Sequence, residues 1–275
     1  MTRSHTYILA WQIGILVLVL GTWELAVVLG ALSPFWASSP SRIAKALVEI
    51  VGDPLFFRHL SSTLIELLAG FAIGASLGIA IGFMLAQWRT LERILDPFLN
   101  ALNSLPRVAL APLLILWLGI GLWSKIVMAA TLVVFIVIGN TVAGARSVDA
   151  DMLTVARLMG ASRRQLFWKV VLPASTPVVF AGLRLGVVYA MLGAVVGEMI
   201  AATSGLGYML SFFAGSFQVG HLMATLVVLV ALSTGLSAAT SWAERRMADW
   251  GGGSRRRQLR QQGRVAIATE RNPAS

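Results

Sequence analysis

The chain has no cysteine, and that absence removes disulfides, thiol catalysis and cysteine metal sites together. It is also short of charge. Only 12% of its 275 residues are Asp, Glu, Lys or Arg, against 57% hydrophobic residues, far from the balance of a water-soluble domain. Histidine is limited to His5, His59 and His221, scattered too widely to argue for a metal centre. No G-x-x-x-x-G-K-[ST] phosphate loop, G-x-S-x-G elbow or H-E-x-x-H pair occurs. The sequence therefore offers no catalytic residue, no metal site and no cofactor bound by this chain. Any use of ATP has to draw on a phosphate-binding apparatus in another polypeptide.

Sustained ten-residue alternation is missing as well, which makes a transmembrane β-barrel remote. What is present is a series of apolar stretches of about 20 residues, the length that carries a helix across a bilayer core. Backbone polar groups in that solvent must bond within the segment, so the fold class is all-α: a polytopic membrane helix bundle of about six transmembrane helices. Spans are expected near residues 7–29, 63–87, 98–118, 124–145, 178–201 and 221–243. The N-terminus has the charge order of a signal sequence, but its apolar run exceeds the usual ~7–15 residues, and an uncleaved first span is expected.

Six crossings leave both termini on one side. Taking that side as cytoplasmic places Arg3, Arg89, Arg93, Arg146, Arg157, Arg163, Arg164, Lys169 and the tail from Arg245 to Arg271 inside, against Arg42, Lys45, Arg58 and Lys125 outside. This is the positive-inside pattern, and it accounts for the net charge of +10 without nucleic acid. The third stretch is irregular, since Asn100, Asn103, Ser104 and Arg107 are polar and Pro97, Pro106 and Pro112 interrupt it. If it is re-entrant, every later loop changes sides. Ser39-Pro40 reads as a helix start, with Ile43, Leu47, Ile50 and Val51 opposite Arg42, Lys45 and Glu49, an amphipathic helix on the outer interface. Residues 1–250 read as one membrane domain. Residues 251–275 are basic and too poor in apolar side chains to fold alone, a cytoplasmic tail suited to anionic lipid headgroups.

Gly70, Gly74, Gly78 and Gly82 recur at every fourth position, which on a helix makes a smooth ridge for close approach of another backbone. Residues 149–177 form a basic, partly apolar loop. Met152, Val155, Ala156 and Met159 share a helical face, Gly160 suits a positive-φ turn, and Leu166, Phe167, Val170 and Val171 begin a second face that Pro173 is expected to stop. The pattern predicts helix, turn, helix.

These residues resemble the cytoplasmic coupling loop of binding-protein-dependent ABC importer permeases, with its pattern E-A-A, three residues, G, nine residues, I-x-L-P. Here the pattern is met by Thr154-Val155-Ala156, Gly160 and Val170-x-Leu172-Pro173; Thr154 stands in place of the acid and Val155 in place of the first alanine. The likeness runs from about Trp11 to Trp250 and is strongest with the nitrate, sulfonate and taurine subgroup, through the stretches Leu105 to Gly121 and Gly197-Glu198-Met199 with Ser204 to Tyr208. The resemblance implies a permease of the bacterial inner membrane that is not itself an ATPase. Its implied partners are an ABC ATPase subunit that carries ATP and Mg, an external solute-binding protein and a second permease copy. Thr154, Val155, Ala156, Met159 and Gly160 would then transmit nucleotide-driven closure.

Three further residues are candidates for the solute path. Arg107 and Asn103 flank a proline-broken helix, where discontinuous helices line transporter pathways, although the preferred reading of Arg107 is an interfacial anchor. Glu198, a carboxylate near the outer end of the fifth span, should face protein or water rather than lipid; it either takes part in the path or holds the following 204–207 turn. Arg184 is read as snorkelling to the cytoplasmic headgroups.

Overall fold

The computed structural model describes residues 2–251, with side chains placed for residues 7–246. The basic tail expected from residue 251 onward lies outside the described residues, apart from Gly251. In chain order the helices are α1 (Thr2–Val28), α2 (Pro34–Ala37), α3 (Pro40–Gly52), α4 (Pro54–Gln87), α5 (Arg89–Ser104), α6 (Ala111–Leu118), α7 (Leu122–Arg146), α8 (Ala150–Leu158), α9 (Arg163–Leu166), α10 (Leu172–Ala201), α11 (Leu206–Gly215) and α12 (Val219–Gly251). No strand occurs among the described residues. Among the described residues, five helical segments are long and apolar enough to cross a membrane, or six where a bent pair is counted as one span.

That bent pair is the third expected span, broken as its prolines predicted at Pro106 but not at Pro97, which α5 carries inside it. Residues 98–118 are not one helix: α5 and the segment Arg107–Leu118 meet at 78°. Leu105 is extended (φ −66°, ψ 134°), as the residue before a proline prefers, and Pro106 cannot supply the next backbone N–H. The chain resumes as a 3₁₀ turn, Arg107–Leu110, before α6.

A correction concerns Pro173, which does not end the hairpin's second arm. The segment Arg163–Ala201 is continuous, because a π turn at Phe167–Val171 interrupts the regular ladder just ahead of the proline. A proline lacks the donor that the ladder needs at its position, and a slipped turn there accommodates the loss.

The fold divides into two compact units. One comprises Met1–Gly70, Val108–Ala129 and Met191–Ser233. In it, Ser39 caps α3 by accepting from the Arg42 N–H at 3.4 Å, with Pro40 in the first turn. Ala46 and Ile50 are the buried face of that helix. Glu24 of α1 fixes its start, accepting from the Ser41 N–H (2.9 Å) and hydroxyl (2.7 Å). Ala111, Leu114 and Met128 are buried together.

The other unit comprises Phe71–Arg107, Ala130–Ala190 and the described residues from Thr234 onward. Its core is the glycine ridge of α4 laid on α7. A Cβ added at Gly74, Gly78 or Gly82 would fall 2.7 Å from the Val133 Cβ, 2.7 Å from the Val137 Cβ and 2.6 Å from the Thr141 Cβ, respectively. Only the missing methyl lets the two backbones approach so closely. Gly182 of α10 meets Asn140 in the same way.

Candidate functional site

The hairpin that joins α7 to α10 is defined by its caps. Asp149 accepts from the Asp151 N–H to start α8. At its end Gly160 adopts φ +79°, and two bonds close the helix: Ala161 N–H to the Ala156 carbonyl (3.1 Å) and Gly160 N–H to the Arg157 carbonyl (2.9 Å). This is the Schellman arrangement, which requires a left-handed residue where glycine stands. Ser162 and Gln165 then form a reciprocal capping box that starts α9. The S-x-x-Q spacing at Ser162 and Gln165 is itself a sequence signal for this helix start.

Thr154, Val155, Ala156, Met159 and Gly160 thus share the first arm and tip, and Val170, Leu172 and Pro173 follow along the second. The Thr154 hydroxyl donates to the Ala150 carbonyl of its own helix (2.9 Å). The tip is apolar and bare: Leu158 and Met159 are each 83% exposed, and Met152 and Val155 are exposed beside them. A helix capped at both ends that offers apolar side chains to solvent is a knob left uncovered by the described residues.

Arg107 lies in the 3₁₀ turn that follows α5. Its guanidinium donates to the Asn103 carbonyl at 3.3 Å and to the Asn103 side-chain oxygen, and it sits 4.3 Å above the Phe135 ring, a cation–π contact. Its Nε is buried without a hydrogen bond. No carboxylate pairs with it among the ion pairs of the described residues. Asn103 and Arg107 are therefore brought together. Arg184, read as a headgroup anchor, instead pairs with Glu244 at 2.9 Å.

Glu198 belongs to a different set of contacts. It is 1% exposed; one oxygen accepts from the Thr63 hydroxyl and the other from the Gly207 N–H, each at 2.7 Å. Beside it lies Glu66, fully buried, which accepts from the Lys125 ammonium at 2.6 Å. The remaining Glu66 oxygen makes no hydrogen bond. Thr63, Glu66 and Lys125 were missed in the sequence. The signal was available, since an ionisable residue inside an apolar span is by default a partner-seeking group. Lys125 was counted instead as a charge of the external loop. Its removal from that count leaves the inside excess of basic residues larger.

Comparison with known proteins decides the family. The model of the binding-protein-dependent transport system inner membrane component family matches residues 74–249. The chain belongs to that family. The riboflavin transport system permease protein RibX of Chloroflexus aurantiacus is 34% identical over 86% of this chain and 88% of its own length. The putative aliphatic sulfonates transport permease protein SsuC of Bacillus subtilis is 32% identical over 87% and 88%. The taurine transport system permease protein TauC of Escherichia coli is 29% identical over 88% and 90%. Among solved structures, an inward-facing form of the MetNI methionine ABC transporter matches the fold with a TM-score of 0.64, 21% identity and coverage of 70% of this chain and 96% of the other. The protein is thus a multi-pass permease subunit of a binding-protein-dependent ABC importer. ATP hydrolysis resides in a separate ATPase subunit, and the family implies a solute-binding protein as the further partner.

Proposed function

We propose that α8, Gly160 and α9 are the dock for the ATPase subunit, so that nucleotide-driven motion enters the spans along the continuous segment Arg163–Ala201. The observation that carries this reading is the bare apolar tip formed by Leu158 and Met159. Full burial of one such side chain contributes about 1.5–3 kcal/mol, and the capped ends hold both in place before the partner arrives. Docking on this face, with the bent pair taken as one crossing, gives a cytoplasmic hairpin and cytoplasmic termini, with two permease copies enclosing an alternating-access path through the inner membrane. No covalent step falls to this chain. The test is the double variant Leu158→Glu/Met159→Glu. Co-purification of the ATPase subunit should fall by about tenfold or more while the amount of permease in the membrane stays unchanged. Undiminished co-purification removes the assignment.

The solute belongs in the same proposal. The relatives carry names as different as riboflavin, aliphatic sulfonates and taurine. The feature of this chain that favours an anionic solute such as a sulfonate, taurine or nitrate is Arg107. It is a guanidinium at a helix break with a buried, unbonded Nε and no carboxylate partner among the described residues, and Asn103 is beside it to complete a polar patch. Arg107→Gln should reduce uptake of an anionic solute by about tenfold or more and leave a neutral heterocycle untouched. Vesicles that carry the assembled transporter, supplied in turn with taurine, an alkanesulfonate, nitrate and riboflavin, provide the comparison. Equal loss for anionic and neutral solutes would remove Arg107 from the path.

A further inference from the structure

Helix α11 has 10 residues, about 15 Å at 1.5 Å per residue, half of what a bilayer core requires. Every helix begins with N–H groups that have no partner inside the helix, and a local Ser, Thr, Asp or Asn ordinarily supplies the cap. Here the N-cap is Gly205, which has no side chain to offer. Three side chains from elsewhere take over. The Gly205 N–H donates to His59 Nδ1 (3.0 Å), the Leu206 N–H to Thr63 Oγ1 (2.8 Å) and the Gly207 N–H to Glu198 Oε2 (2.7 Å). His59 and Thr63 stand one turn apart on α4, and Glu198 comes from α10. Thr63 also donates to Glu198, so the two caps are bonded to each other. The carboxylate additionally meets the positive end of the α11 dipole.

The chain gives up side chains to permit this. Gly205 is at φ +117°, and a Cβ there or at Gly207 would collide with the Glu198 side chain. Thr63 is 0% exposed and Glu198 1%. The far end of α11 is treated differently. It runs into Phe217 at φ +57°, 67% exposed, and Phe212 on the helix itself is 52% exposed. One end is held by three bonds to side chains of α4 and α10, those to Thr63 and Glu198 buried, whereas the other is closed by backbone bonds, Phe217 N–H to the Ala214 carbonyl and Gln218 N–H to the Phe213 carbonyl. A non-spanning helix at membrane depth has to lie against protein or a water-filled cavity, and broken helices of this kind border solute paths.

We propose that His59, Thr63 and Glu198 are positioning residues that latch α11 as a shutter over the extracytoplasmic end of the path. The sidedness rests on the hairpin before α10 being the cytoplasmic dock, because α10 crosses the membrane once between that hairpin and α11. The latch itself rests on the bonds alone.

Because the chain has no cysteine, Phe212→Cys gives a single reactive thiol on α11. Its labelling by a membrane-impermeant maleimide is followed in intact cells and in inside-out vesicles that carry the assembled transporter. Thr63→Val keeps the volume and loses the hydroxyl, whereas Thr63→Ser keeps the hydroxyl and loses a methyl. In the Phe212→Cys background, Thr63→Val should raise the labelling rate about five- to tenfold, the effect of a lost cap bond, and Thr63→Ser should leave it within about twofold. A packing role alone gives the reverse order, and either that order or equal rates overturns the latch. Trapping the ATPase subunit with ATP and vanadate should raise labelling in the native-latch background; an unchanged rate overturns the shutter. Labelling confined to inside-out vesicles overturns the sidedness, and with it the cytoplasmic placement of the hairpin, while the ratio of the two Thr63 variants still decides the latch.

Discussion

Replacing Lys125 with methionine should be among the most damaging single changes in the chain. The lysine stem packs on Gly197, where an added Cβ would fall 3.3 Å from the Lys125 Cγ, and methionine preserves that contact. What disappears is the ammonium. Glu66 is 1% exposed, has one oxygen already unbonded and lies beside a second buried carboxylate, Glu198. Removing one member of a buried pair leaves an uncompensated charge, typically at a cost of about 3–5 kcal/mol. The thermal midpoint of the detergent-purified permease is therefore expected to fall by about 6–20 °C, taking ~2–4 °C per kcal/mol for a chain of this size. The double variant Glu66→Gln/Lys125→Met removes both charges and should recover most of the loss, since a buried pair exchanged for neutral groups of similar volume is often close to neutral. If Lys125→Met alone melts like the parent chain, the ion pair does not hold these helices.

The contrast between that pair and the hairpin explains which parts of the protein could be read from sequence. Local chemistry announces itself locally. Ser39-Pro40 starts α3 where the cap and the proline both require it, and Gly160 with Ala156 four residues before it encodes a Schellman end whose two bonds span only five residues. The glycine ridge is legible for the same reason, since a four-residue period on one helix specifies a face even before its neighbour is known. The Lys125 and Glu66 partners are 59 residues apart, and Thr63 and Glu198 are 135 apart. Nothing in either neighbourhood specifies the other. Glu198 was noticed because it stands in a recognisable stretch, but the hydroxyl and the imidazole that share its task came from a helix read only as apolar. Proline was legible in one place and misleading in another. At Pro106 it bends the chain through 78°, as the interruption read there implies. At Pro173 it was absorbed by a π turn and left the helix continuous.

The glycine ridge supports the second large prediction, because it separates close packing from a mere preference for small residues. Gly78→Val would put its Cβ 2.7 Å from the Val137 Cβ and 2.9 Å from the Val134 carbonyl oxygen. A flexible side chain can swing aside, but a carbonyl in the middle of α7 cannot move without the helix. Forced overpacking in an ordinary core costs about 1–3 kcal/mol, and here the obstacle includes backbone, with Gly74 and Gly82 holding the same register one turn away on either side. The variant should accumulate in the membrane at about a tenth of the parent level or less. Gly139→Val provides the control. Gly139 lies on α7 too, but a Cβ there meets nothing within 4 Å, and valine has a slightly better helix propensity than glycine. Its accumulation and thermal midpoint should match the parent. Equal behaviour of the two valines, whether both tolerated or both lost, would mean that α4 and α7 do not meet along this ridge; a defect confined to Gly78 places their contact there.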